Sequence, residues 1–144
     1  MSQVDRRHQI LEVSLTAFSS RGYHNTSMND IADAMSLTKP VLYQYFDSKR
    51  SLYLELLHHV GAQLLDEVTA AVKGSSDPRE QTERGMIAYF TWVATHREAF
   101  ALLFESSERV DEEFADIVSE FEDAAAKAIL PFIAVDASED NLYT

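Results

Sequence analysis

Between Thr26 and Phe46 the chain sets tyrosine and glutamine where an ordinary exposed helix would prefer glutamate and lysine. Lys39, Tyr43, Gln44 and Tyr45 fall within seven residues, while Leu42 and Phe46, four apart, share one face and must turn inward. Two phenols, an amide and an ammonium on one short polar face suit phosphate oxygens and base edges. A second group is aromatic: Tyr89, Phe90, Trp92 and Val93, then Phe100, Leu103 and Phe104, then Phe114, Ile117 and Phe121. At helical spacing these residues read first as the core of a bundle. A third group, Glu55-Leu56-Leu57-His58-His59, puts carboxylate and imidazole three and four residues apart. Metal sites use that spacing but want about four ligands, and no second cluster supplies the rest, so neither a metal nor a cofactor is expected. The chain has no Gly-rich phosphate loop, nucleophile elbow or zinc-protease helix, which argues against an enzyme.

The elements that position these groups are all helical, and no alternating strand of useful length occurs. Ile10, Leu11, Ser14, Ala17 and Phe18 form one apolar stripe on a helix of about residues 5–20, stopped at Arg21-Gly22. A short helix from Ser27 to Met35 follows, with Thr26 expected to cap it and Met28, Ile31 and Ala32 inward. After the break at Ser36-Leu37, Thr38 is expected to cap a third helix, Lys39 to Phe46, with Pro40 in its first turn. Two short helices joined by about three residues make the helix-turn-helix layout, whose second helix enters the DNA major groove. Asp47 is expected to cap a long fourth helix reaching Lys73, and Gly74-Ser75-Ser76 stops it. Asp77-Pro78 opens helix five, to about Thr95; helix six covers roughly 98–106 and helix seven Glu112 to Leu130. Pro131 ends or kinks that last helix, and the polar tail from Val135 to Thr144 is expected to fray.

Composition narrows the class. At 144 residues with 46% apolar content, the chain has a globular composition, and no apolar run approaches a membrane span. Zero cysteines exclude a disulfide scaffold and fit a cytoplasmic setting. The net charge of −12 argues against nucleic acid until it is divided. Residues 1–60 hold six basic and six acidic residues and are neutral, so residues 61–144 carry the whole excess. The expected organisation is therefore an all-α chain with a helix-turn-helix domain at 1–47 and a helical second domain at 48–144.

Arg7-His8-Gln9-Ile10-Leu11, Ala17-Phe18, Gly22-Tyr23, the run Thr26 to Ala32, the run Leu37 to Phe46, and Ser48-Lys49 together resemble the tetracycline-repressor (TetR) family of bacterial transcription regulators. The resemblance covers about residues 6–57. It departs from the family at Ser36, where the turn glycine is usual, and at Tyr45, where histidine is frequent. It implies that Thr38, Lys39, Pro40, Val41 and Gln44 face the groove, and that Thr26, Ser27, Tyr43, Tyr45 and Lys49 belong to the DNA contact surface. For Lys49 there is an independent reason: the amino end of helix four attracts a phosphate, and an ammonium there adds charge. The resemblance also implies a cavity for a small effector, with Tyr89, Trp92, Val93, His96, Phe100, Phe104 and Phe121 as its candidate lining. The partners so implied are a pseudo-palindromic duplex operator, a small-molecule effector and a second copy of the chain, with no membrane. Family members carry two further carboxy-terminal helices that form the dimer interface; the chain stops soon after Pro131, so dimerisation is expected from the family and unsupported by these residues. Beside a ligand-responsive repressor stands a second reading, a helical protein-interaction module without DNA binding, favoured by the neutral amino-terminal region and the acidity. A small-molecule carrier is the third.

Overall fold

Helix α1 (Gln3–Arg21) opens with the Ser2 hydroxyl accepting from the Asp5 backbone N–H and closes at Gly22, whose φ of 86° suits a residue without Cβ. The computed structural model describes residues 2–106 and 111–130. Along α1 the predicted stripe turns inward: Ile10, Leu11, Ser14 and Phe18 are buried. Helices α2 (Met28–Ala34) and α3 (Lys39–Tyr45) complete a small bundle around it. The long α4 (Lys49–Val72) runs out of that bundle, and 24 residues make it about 36 Å long. Its buried face is Leu52, Tyr53, Leu56, Leu57, Val60, Gly61, Leu64 and Val68. Helices α5 (Pro78–Thr95) and α7 (Glu112–Ile129) pack along it, with α6 (Arg97–Phe100) between them in sequence. The described residues are all-α, as the periodicity implies.

Three expected caps are corrected. Thr26 does not cap α2: it is buried, and its hydroxyl turns back to donate to the carbonyls of Gly22 at 2.8 Å and Ala17 at 3.3 Å. Ser27 is the cap, exchanging bonds with Asp30 in a reciprocal box. Thr38 does hold the cap position of α3, but its side chain makes no capping bond. Pro40, second in the helix, has removed one of the two N–H groups that a cap could reach. Asp47 lies outside α4, which Ser48 caps through a reciprocal pair with Ser51, both bonds 3.0 Å.

The sixth helix also differs from expectation. Four α-helical residues give way at Ala101 to a π-helix, Ala101–Ser106, whose wider turn lets consecutive Leu102 and Leu103 both reach the core. Between α4 and α7 the helices approach closely at Gly61, where an added Cβ would run into the Phe121 ring. One hydrophobic cluster runs from Ile10 and Leu42 through α4 to Trp92, Phe114 and Ile129. The expected stop at Pro131 and the tail from Val135 to Thr144 lie outside the described residues.

Candidate functional site

The turn between α2 and α3 positions the polar face. Leu37 N–H donates to the Ala32 carbonyl at 2.9 Å and Ser36 N–H to Asp33 at 3.1 Å, a Schellman ending with Ser36 at the left-handed position, φ 55°. The Ser27 N–H and hydroxyl hold the Asp30 carboxyl below its ordinary range. Leu42 and Phe46 anchor α3 in the core. Thr38, Lys39, Pro40, Tyr43 and Gln44 are then exposed together, Val41 and Tyr45 are half-buried beside them, and Ser27 lies exposed at the start of α2. Thr26 is inside the bundle.

Arg7, on α1, ties this helix down. Its guanidinium donates to the Tyr45 carbonyl at 2.9 Å, pairs through two bonds with Glu55 on α4, and lies over the Phe46 ring at 4.4 Å. Local sequence patterns miss this arrangement, because 48 residues separate Arg7 from Glu55. Lys49 stands in the first turn of α4 as expected, but its ammonium points inward, donating to the Tyr23 carbonyl at 2.7 Å over the Tyr23 ring. Burial lowers its pKa. Arg50 turns toward α7, where Asp111 and Glu113 pair with it and the Phe114 ring lies 4.8 Å from it. Those bonds raise the Arg50 pKa and hold the Asp111 carboxyl down. Beneath the pair Tyr23 meets the Tyr53 and Phe114 rings edge to face and those two rings lie tilted against each other, with burial raising the pKa of both phenols. Among the described residues, Arg6 and Lys39 are the Lys and Arg of the first 60 positions whose side-chain charge no ion pair or hydrogen bond holds.

A pocket of about 310 Å³ lies among α4, α5, the π-helix and α7. Tyr89, Phe104 and Phe121 line it, joined by Leu64, Met86, Phe90, Leu103 and Val118, by Glu122, Ala125, Ala126 and Ile129 from the second half of α7, and by Leu130 just past its end. Trp92, Val93, His96 and Phe100 do not reach it. The lining from α5 ends at the Tyr89–Phe90 turn, and Trp92, one turn further on, is buried and stacks on His96 at 5.1 Å. The alanines at 125 and 126 leave space that larger side chains would fill, and their small size is the one sequence signal that marks this end of the pocket. Glu55, His58 and His59 form no metal site: among the described residues no three His, Cys, Asp or Glu side chains could share an ion. Among them, too, no helix is long and apolar enough to cross a membrane.

The family described as "Bacterial regulatory proteins, tetR family" matches residues 10–56. The HTH-type transcriptional activator FasR of Mycolicibacterium smegmatis is 32% identical over 133 residues, 92% of this chain and 61% of that protein. The HTH-type transcriptional repressor KstR2 of Rhodococcus jostii is 30% identical over 97 residues, 67% of this chain and 48% of that one. The chain thus spans about half to three-fifths of the length of these curated relatives. Among solved structures, a TetR-like transcriptional regulator from a Rhodococcus species superposes with a TM-score of 0.80 at 26% identity, covering 97% of this chain and 75% of that one.

Proposed function

The chain belongs to the tetR family of bacterial regulatory proteins, and on that premise we propose that it is a cytoplasmic transcription regulator that reads duplex DNA through α3 and answers to a small molecule held between α4 and α7. The observation that carries this is the split of α3: Leu42 and Phe46 are locked in the core, and Lys39, Tyr43 and Gln44 are left together on the surface. In the groove, Gln44 and Lys39 reach base edges, with Thr38, Pro40 and Val41 at the helix start. Ser27, Tyr43 and Tyr45 meet phosphates. Lys49 acts there mainly as a strut, since its ammonium is already engaged with Tyr23.

Control runs along α7. The same helix lines the pocket from Val118 to Ile129 and, through Asp111, Glu113 and Phe114, grips Arg50 at the start of α4. A ligand that moves α7 therefore changes the tilt of α4 and of the bundle attached to it through Arg7 and Glu55. In a dimer, two recognition helices must meet half-sites about 34–36 Å apart, so a modest tilt breaks simultaneous docking. The regulator then acts as a repressor released by its effector; relatives named activator and repressor both exist, and a reporter assay with operator and effector separates the two. The two domains in this reading are 1–47 and 48–144.

A gel shift on genomic fragments at several salt concentrations tests the DNA reading. Retarded bands that weaken with salt are expected. Their absence at low salt would favour the protein-interaction module, to which the internal pairing of most amino-terminal cations also points.

A further inference from the structure

Helix α5 packs on α4 and α7 through one face, where Gly85 and Trp92 are buried, and turns the other outward. That outward face is apolar at its centre: Met86 is 45% exposed, Ile87 59% and Phe90 62%. A lone exposed hydrophobe means little, but three within five positions of one helix make a patch. Ala94, one turn further on, is exposed as well. Glu83, Ile87, Phe90, Ala94 and Arg97 follow one another at steps of four, three, four and three residues, the spacing of a coiled-coil seam. Arg97 stands just past the end of α5, as the first residue of α6. The two charges that bracket the seam are exposed, and among the described residues neither side chain makes an ion pair or hydrogen bond.

We propose that a second copy of the chain docks on this face, α5 antiparallel to α5 about a two-fold axis at Phe90. Such an axis sets residues that lie equally far from it, on either side, against each other. Four residues each way, Met86 meets Ala94 of the other copy, a long side chain against a small one. Seven residues each way, Glu83 meets Arg97, and the pair occurs twice in the dimer. A parallel copy would instead set Glu83 against Glu83 and Arg97 against Arg97, like charge against like. A partner of uniform charge would meet its own sign at one end of the seam. The order of charges along α5 therefore selects the antiparallel copy, and burial of Ile87 and Phe90 drives its association. A single helix pair is a small interface, so the dimer is weak, with a dissociation constant on the order of micromolar. Nothing in this depends on the reading of α3, which stands or falls on the gel shift.

The test is sedimentation of the full chain without DNA, from about 1 μM to 1 mM. A monomer–dimer equilibrium is expected, and Ile87→Glu, at an exposed position outside the pocket, should weaken it at least about tenfold. Glu83→Lys and Arg97→Glu should each weaken it about tenfold by facing like charges at both ends. The double variant Glu83→Lys with Arg97→Glu should restore it, and unchanged circular dichroism shows that the variants fold. The chain has no cysteine, so one introduced at a time reports the register. Phe90→Cys, beside the axis, should oxidise to a linked dimer, whereas Glu83→Cys, whose copies lie about 20 Å apart, should not. Rescue failing in the double variant, or Glu83→Cys linking as readily as Phe90→Cys, overturns the antiparallel register. A dimer indifferent to Ile87→Glu joins through another face, and a chain that stays monomeric throughout leaves this face to a partner other than itself. Either result overturns the proposal.

Discussion

Ser36 sits at φ 55°, where a Cβ crowds the carbonyl that follows, and it is the residue that turns α2 into α3. Replacing it by glycine relieves that crowding and adds freedom to the unfolded chain, two effects of opposite sign. The first is larger, so Ser36→Gly should stabilise by about 0.5–1 kcal/mol. A urea midpoint that rises at unchanged slope would show it, and a lower midpoint would show that the turn is not strained. The caps give a second contrast. Ser27→Ala removes one half of a reciprocal pair and should cost about 1 kcal/mol. Thr38→Ala removes no capping bond and should leave the urea midpoint within the error of measurement. Equal losses for the two would mean that the Thr38 hydroxyl caps α3 in solution.

At the scale of elements, the junction of α4 and α7 decides whether the pocket can speak to the bundle. Arg50→Ala leaves the exposed face of α3 untouched and removes the grip on Asp111 and Glu113. The variant should bind DNA about as well as the parent, while the effector's influence on that binding falls at least about fivefold. A full response in Arg50→Ala, measured as operator affinity with and without ligand, would place the coupling elsewhere. The junction should also have an acid limit. Asp111 has its pKa held below the ordinary 3.8, chiefly by the Arg50 hydrogen bond, so its contribution is fully present above that value and is lost as pH falls through the lower, folded one. The stability difference between the parent and Asp111→Asn should therefore be flat above about pH 5 and shrink below pH 3.8. A difference that shrinks near pH 6 would point to another group.

For the whole molecule, electrostatics sets how DNA is held. A neutral amino-terminal region whose arginines 7 and 50 are spent on Glu55, Asp111 and Glu113 has few cations to release counterions. Affinity should then fall with salt along a shallow slope. Lys39 carries its charge into the groove, so Lys39→Ala should cost discrimination between sites and also reduce that slope by up to about 0.9, or twice that in a dimer. Gln44→Ala should instead cost about 1–3 kcal/mol of discrimination between sites with the slope unchanged. Lys49→Ala should lower thermal stability along with affinity, because it removes the bond to the Tyr23 carbonyl. If Lys49→Ala flattens the slope and spares stability, its ammonium faces phosphate in the complex. Sedimentation of the chain with and without operator tests the dimer.

How much of this is legible in the residues follows from the range of each interaction. Helix spacing, the glycine stop at Gly22, the proline opening α5 and the inward faces of α1 to α4 are local, because hydrogen bonds and side-chain direction within a helix repeat every few positions. They can be read in order along the chain, and with them the helix-turn-helix. Which of two adjacent hydroxyls caps a helix cannot, since Thr26 is drawn inward to the carbonyls of Gly22 and Ala17 where the end of α1 turns back against α2. The same holds for the inward turn of Lys49, for the pairing of Arg50 across 61 residues with Asp111, and for the boundary of the pocket, which excludes Trp92 and includes Ala125. Charge type and amphipathic period name the faces of helices. Which charges meet, and where the packing leaves a space, depends on how segments far apart in the chain come together.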